Sequence, residues 1–301
     1  MFKQFPAQYK AILLALIGYS AFSLADTGAK WLTPHYGTYQ IVMLVQFCAA
    51  ILLLCGSHKL GGLPSLWSAE TRRDYKVHIL RGILNAATTL LIVYAFSKLP
   101  LVTIYTACFT KPFVATILGV VFFSQTIGKH RAIATIVGFI GILIAFQPWT
   151  QSFPLDLSLV LIALPLVIAG MFIAARGLTG GTILSLGFWP VVFACLAGAP
   201  MAILDWHHLD WHHIPVFFAT AACSVTGVIA VSRAFQLGDS AAVTPMMYIE
   251  MLWGLLIGYF IFGDTPDINM MTGSIIIVLS GLYLILKEKG NAHSEKNAKS
   301  A

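Results

Sequence analysis

Thr244–Phe262 reads TPMMYIEMLWGLLIGYFIF, an apolar run of membrane length with one carboxylate, Glu250, near its middle. An ionised carboxylate at bilayer depth is expensive and belongs in a protein-lined interior rather than against lipid. A second run, Leu101–Phe123, is built the same way around Lys111. An offset of 139 positions relates the two: it carries Ala95–Phe96 onto Ala234–Phe235, Gly119 onto Gly258, Phe123 onto Phe262 and Lys111 onto Glu250. The chain reads as an internal repeat whose charged members occupy equivalent places.

Only 10% of the 301 residues are charged and 58% are hydrophobic. Soluble domains carry about a quarter charged residues; a chain this poor in charge has too little to cover a water-facing surface. Lipid accepts the apolar surface. The net charge of +6 therefore points to topology rather than to nucleic acid. The five cysteines, Cys48, Cys55, Cys108, Cys195 and Cys223, lie in or beside apolar runs without a CxxC pair. That excludes a disulfide or metal framework and leaves them as small packing residues.

Ten segments of roughly spanning length follow: 9–31, 37–56, 77–97, 101–123, 131–147, 157–176, 181–200, 214–236, 241–262 and 270–287. The first lacks a signal cleavage site and is expected to stay. Pro112, Pro165 and Pro190 lie inside spans as candidate kinks. With the N-terminus in the cytoplasm, fifteen of the 18 Lys and Arg residues fall on the cytoplasmic side; Lys30 and Lys98 fall outside and Lys111 within the membrane. The positive-inside rule thus predicts a multi-pass plasma-membrane protein with both termini cytoplasmic. Five spans per half is odd, so the second half runs through the membrane in the opposite sense, the inverted-repeat plan of secondary transporters. The expected architecture is an all-α integral membrane protein of ten transmembrane helices in two inverted five-helix repeats, 1–148 and 149–287, followed by a polar cytoplasmic tail, 288–301.

Glu250 reads either as a cavity group for substrate or proton, or as a hydrogen-bond hub between helices. Lys111 is its mate by symmetry. A Lys111–Glu250 pair would ease the burial of both charges without necessarily adding stability, and would serve as a gate or as a permanent buried pair. Asp26, in SLADTGAKWL, pairs locally with Lys30 at i,i+4 or binds a cation or proton. Arg81 and Asn85 line an inner vestibule or anchor the third span to headgroups. Tyr94, Tyr105, Tyr248 and Trp253 suit the wall of a pocket for a ring-bearing substrate, or pack helices. Trp31, Trp149, Trp206 and Trp211 need only the interfacial belt. Trp206–His213 repeats WHH with two residues between copies. A histidine tract of this kind hints at metal, but its spacing fits no specific site. No Walker, GxGxxG, HExxH or GxSxG motif supports nucleotide-driven or hydrolytic chemistry.

Residues Arg81–Phe123 (RGILNAATTLLIVYAFSKLPLVTIYTACFTKPFVATILGVVFF), IVGFIGILIAFQP from Ile136, and AFQLGDSAAVTPMMYIEMLWGLLIGYFIFGD from Ala234 resemble the drug/metabolite transporter superfamily in its ten-span EamA-type branch. The family's second-half Glu-Pro and Gly-Glu stand here as Glu250–Met251 and Gly263–Asp264. The first-half proline is Pro112 and the end-of-span acid position is Gln125. The resemblance implies two inverted five-helix halves around a cavity opened alternately to either side. Family members move amino acids, nucleosides, cofactors, sugar derivatives and drugs, often with protons or by exchange.

The expectation is therefore a secondary carrier, not an enzyme, in the bacterial inner membrane. Its substrate would be a small polar metabolite such as an amino acid, or an aromatic-ring compound such as a flavin or an adenosyl metabolite. Protons or a counter-substrate would be co-partners. No cofactor, metal or nucleic acid is expected, and the protein would be a monomer or dimer. A membrane enzyme would need a converging catalytic set, which only the outer histidine loop approaches. A non-transporting scaffold subunit is the third class.

Overall fold

A computed structural model describes residues 7–67, 72–111, 113–114, 117, 129–147, 154–175, 182–237 and 243–283. Expectations attached to Lys3, Pro112, Gly119, Phe123, Gln125, Thr126, Trp149, Arg176 and the tail from residue 288 lie outside the described residues. Ten α-helices are present among those described: α1 (Ala7–Leu32), α2 (Thr38–Cys55), α3 (Arg72–Phe96), α4 (Leu101–Cys108), α5 (Lys129–Phe146), α6 (Leu155–Ala175), α7 (Ile183–Leu204), α8 (Ile214–Leu237), α9 (Ile249–Phe262) and α10 (Ile268–Tyr283). No strand is formed among these residues.

Helices α1, α2, α3, α7 and α8 are long and apolar enough to cross a membrane, and α5, α6, α9 and α10 are apolar but shorter. Large apolar side chains cover the outside of the bundle; Leu204 is 80% exposed, Phe260 76% and Ile268 74%. Water would penalise a surface of this kind, whereas hydrocarbon does not. The protein is a multi-pass membrane protein.

The packing carries the two-fold relation inferred from the offset. Helix α1 packs along α8 and α3 along α6; α3 lies on α7 and α2 on α8; α1 meets α9 and α4 meets α6. Advancing each helix by five converts one member of each couple into the other. The pairs α2–α7 and α4–α9 map onto themselves, as does α5–α10, where a Cβ on Gly273 would lie 2.4 Å from the carbonyl oxygen of Gly141. Those self-mapping pairs mark the pseudo-two-fold axis. Close backbone approach through small residues is how membrane helices associate without a hydrophobic driving force between them.

The two runs singled out by the sequence are not continuous helices. Helix α4 ends at Cys108; Thr110 N–H then bonds the Ala107 carbonyl (3.1 Å) and its hydroxyl caps the same oxygen (2.7 Å) before helix resumes at Lys111. In the second half Thr244–Tyr248 is a 3-10 segment with a proline at its start, and α9 begins only at Ile249. Glu250 therefore sits in the first turn of a helix rather than in mid-span. Pro245 stands at the start of the 3-10 segment, where a missing N–H is tolerated.

Candidate functional site

The two breaks place both charges at helix ends. Glu250 lies in the first turn of α9, directly after the 3-10 segment. Lys111 stands where helix resumes after the C-terminal turn of α4. Broken spans that present opposite helix ends near the symmetry axis are a recurring way to build a polar site within a membrane.

Helix α1 supplies the third charge. Tyr19, Ser23, Asp26 and Lys30 follow one another at steps of four, three and four, so they share one face. Asp26 Oδ2 accepts a 2.8 Å hydrogen bond from Tyr105 Oη of α4. The Tyr105 ring reaches that position because Gly254 of α9 has no side chain: a Cβ there would lie 2.5 Å from the ring. Immediately before it on α9, Trp253 Nε1 donates to Ser20 Oγ of α1 at 2.8 Å. Phe109 and Tyr248 stack at 5.2 Å between ring centroids.

Asp26, Lys111 and Glu250 thus form one electrostatically coupled group among α1, α4 and α9, the candidate chamber. Each keeps part of its surface accessible. Glu250 and Lys111 both act electrostatically on Asp26, and Lys111 acts on Glu250. Glu250 also acts on Tyr19, a wall residue absent from the sequence expectation although its i,i+7 spacing to Asp26 placed it on the same face. Two cavities flank the group. One, of about 560 Å³, is almost wholly apolar and runs between α4, α5 and α6 past Thr110 and Phe139. The other, of about 620 Å³, lies over α1, α8 and α9 past Ser20, Cys223 and Ile249.

Two expected pairings are replaced. Lys111 and Glu250 do not close on each other; Lys111 Nζ instead lies 5.9 Å from the centroid of the Phe109 ring. Lys30 turns away from Asp26 towards the C-terminal end of α9. Its Nζ lies 2.7 Å from Asp264 Oδ2, donates to the Leu99 carbonyl at 3.3 Å and stands 4.6 Å over the Phe262 ring. Gly263, in a left-handed conformation with φ +68, ends α9 and turns Asp264 back so that its N–H bonds the Gly258 carbonyl. Both Lys30 and Asp264 fell at outer span ends in the sequence, which was the available signal.

The remaining expected residues lie elsewhere. Asn85 Nδ2 donates to the Pro190 carbonyl at 3.0 Å and joins α3 to α7. Arg81, one turn earlier, has Nε and Nη1 enclosed without an acceptor. Tyr94 donates to Asp156 at the start of α6, away from the central three charges. Tyr248 Oη is enclosed without a partner beside the chamber. The WHH loop does not converge on a metal: among the described residues no three His, Cys, Asp or Glu side chains gather. His212 instead bonds Asp210 (2.8 Å), His213 bonds Tyr36 (2.9 Å), and the buried Gln40 side chain clamps the backbone of His207 from both sides (2.8 and 3.0 Å).

Residues 9–147 match the EamA-like transporter family. That stretch, nearly the first half of the chain, is an EamA-like domain. Over most of its length the chain is similar to several transporters. It is 27% identical over 283 residues to the S-adenosylmethionine uptake transporter of Rickettsia felis, covering 92% of each chain. It is 25% identical over 289 residues to the riboflavin transporter of Vibrio cholerae, covering 92% of this chain and 93% of the other. Likeness to the pseudopaline exporter CntI of Pseudomonas aeruginosa is 21% over 285 residues, 93% and 97% of the two chains. A crystal structure at 12% identity superposes with a TM-score of 0.65 over 92% of this chain and 96% of its own, which speaks for the fold alone. The family and the relatives' names make this protein a transporter of a small metabolite rather than an enzyme.

Proposed function

We propose that this EamA-like protein carries S-adenosylmethionine, or a closely related adenosyl amino acid, into the cell by alternating access. The carrying observation is the charge pattern of the chamber: two carboxylates, Asp26 and Glu250, and one ammonium, Lys111, between aromatic walls. S-adenosylmethionine presents the complementary set, with a sulfonium and an ammonium for the acids, a carboxylate for the lysine and an adenine ring for Tyr105, Tyr248 or Trp253. Full-length similarity to S-adenosylmethionine uptake transporters supports the same class. A flavin fills an aromatic pocket but leaves two carboxylates without a cation, so the riboflavin reading ranks second.

In this reading the two halves, 1–148 and 149–287, rearrange around the chamber with both termini in the cytoplasm, which the Lys and Arg distribution supports. Arg81 and Asn85 then stand near the inner mouth, and Tyr94 at the outer face. The substrate is a net cation, and a cation gains about 2.3 kcal/mol per 100 mV on entering a negative interior. Inward movement therefore needs no proton; exchange for a demethylated or other spent adenosyl product would serve equally.

Competition in proteoliposomes tests the reading. Uptake of labelled S-adenosylmethionine should be blocked by compounds that keep both the amino-acid and adenosyl parts. It should be blocked less by methionine or adenosine, and least by riboflavin. Equal or stronger competition by riboflavin would overturn it.

A further inference from the structure

Lys30 has two carboxylates within the reach of one side chain, and they belong to different parts of the machine. Asp264, at the outer end of α9, holds it now at 2.7 Å. Asp26 lies one turn back on α1, at the i,i+4 spacing that brings side chains of a helix together. The present pairing closes the outer end of the chamber. Lys30 joins α1 to α9 through Asp264, to the α3–α4 turn through the Leu99 carbonyl, and caps the Phe262 ring. Along α4 every residue from Leu101 to Thr110 is buried, whereas Lys111 and Val114 are partly accessible and Ile117 is 52% exposed.

We infer that Lys30 is a two-position switch, paired with Asp264 when the outer side is closed and with Asp26 when it is open. This deepens the reading of the chamber as a cation site and rests on it in one respect: the group that displaces Lys30 from Asp26 is the substrate's positive charge. With the chamber empty and Lys30 turned inward, Asp26 is satisfied, Asp264 is released and α9 is free to leave α1. A cationic substrate that takes Asp26 expels Lys30, which returns to Asp264 and shuts the outer side behind the cargo. Occupancy is thereby coupled to closure because the two states differ in which partner each charge has. The local Asp26–Lys30 pair and the observed Lys30–Asp264 pair become the two ends of one cycle. Tyr105, which now donates to Asp26, holds the carboxylate while Lys30 is away.

The test uses a single reporter cysteine at Leu99, a residue 8% exposed beside the closure, in the full-length protein with its own five cysteines replaced. A membrane-impermeant maleimide is added from outside. Without any substrate, Asp264→Asn should raise the labelling rate about fivefold or more, and Asp26→Asn should lower it by a similar factor. An ion pair that merely braces the fold predicts the first change and not the second. The double exchange Lys30→Asp with Asp264→Lys should restore low labelling. In the reporter alone, saturating S-adenosylmethionine should slow labelling, and in Asp26→Asn it should not. An Asp26→Asn variant that labels like the parent, or faster, overturns the switch irrespective of substrate identity. Correct substrate-free responses with no effect of S-adenosylmethionine would retain the switch and overturn the substrate reading instead.

Discussion

Tyr105 Oη and Asp26 Oδ2 are joined by a 2.8 Å hydrogen bond between the fourth and first helices. Neither residue is explained by packing alone. The phenol is 3% exposed and its donor is aimed at a carboxylate that also feels Glu250 and Lys111. The bond fixes where that carboxylate stands when cargo arrives.

Tyr105→Phe removes the donor while keeping the ring. A hydrogen bond to a charged group contributes about 1.5–3 kcal/mol, so the KM for uptake should rise by about tenfold or more. Thermal stability in detergent should stay near that of the parent. A KM unchanged within twofold, by initial-rate uptake, would remove Tyr105 from the chamber.

Gly254→Ala tests the same bond from the other side. Its Cβ would meet the Tyr105 ring at 2.5 Å, and overpacking of this kind costs roughly 1–3 kcal/mol. Uptake should fall in parallel with Tyr105→Phe, and the double variant should add little to the worse single one. Full additivity of the two losses, measured as kcat/KM, would mean that the glycine acts elsewhere.

The chamber charges should sort substrates by charge. Glu250→Gln should weaken competition by cationic adenosyl compounds more than by neutral ones. Lys111→Gln should weaken competition only by compounds with a carboxylate. With net-positive cargo, a potassium diffusion potential, negative inside, should drive uptake, and collapsing the pH gradient at constant potential should not change it. Uptake that follows the pH gradient and loses that dependence in Glu250→Gln would instead make Glu250 a proton carrier.

Much of this was legible in the chain. The 139-residue offset related the fourth span to the ninth, and α4 and α9 are packed against each other. The central charges were visible because an apolar run tolerates an acid or a lysine only for a reason. The breaks beside Lys111 and Glu250 were less legible, because hydropathy is blind to a local change of hydrogen-bond pattern. The Lys30–Asp264 pair was missed because nearest-neighbour spacing favoured Asp26, and only the folded chain brings residues 234 positions apart together. Tyr19 went unremarked because its role depends on a helix face it shares with Asp26, not on its own neighbours.

The outer loop should prove to be a clasp. Asp210 caps the backbone N–H of His212 and bonds its ring, which together hold its carboxyl below the ordinary range. A depressed folded value means that the cap's contribution is present above the unfolded carboxylate value and is lost as pH falls through the folded one. Asp210→Ala should speed amide exchange across Trp211–His213 at neutral pH and leave uptake unchanged. Chelators should likewise have no effect. Loss of transport on chelation, restored by zinc, would return the loop to the functional site.

The central claim is that Asp26, Lys111 and Glu250 bind a cationic adenosyl amino acid on its way across the membrane. Uptake of labelled S-adenosylmethionine by purified protein in liposomes, compared with Asp26→Asn, tests it most directly. The expected result is saturable accumulation by the parent under a negative-inside potential and at least a tenfold loss of kcat/KM in the variant, the scale of one hydrogen-bonded charge. No uptake above protein-free liposomes, or uptake indifferent to Asp26→Asn, would contradict it.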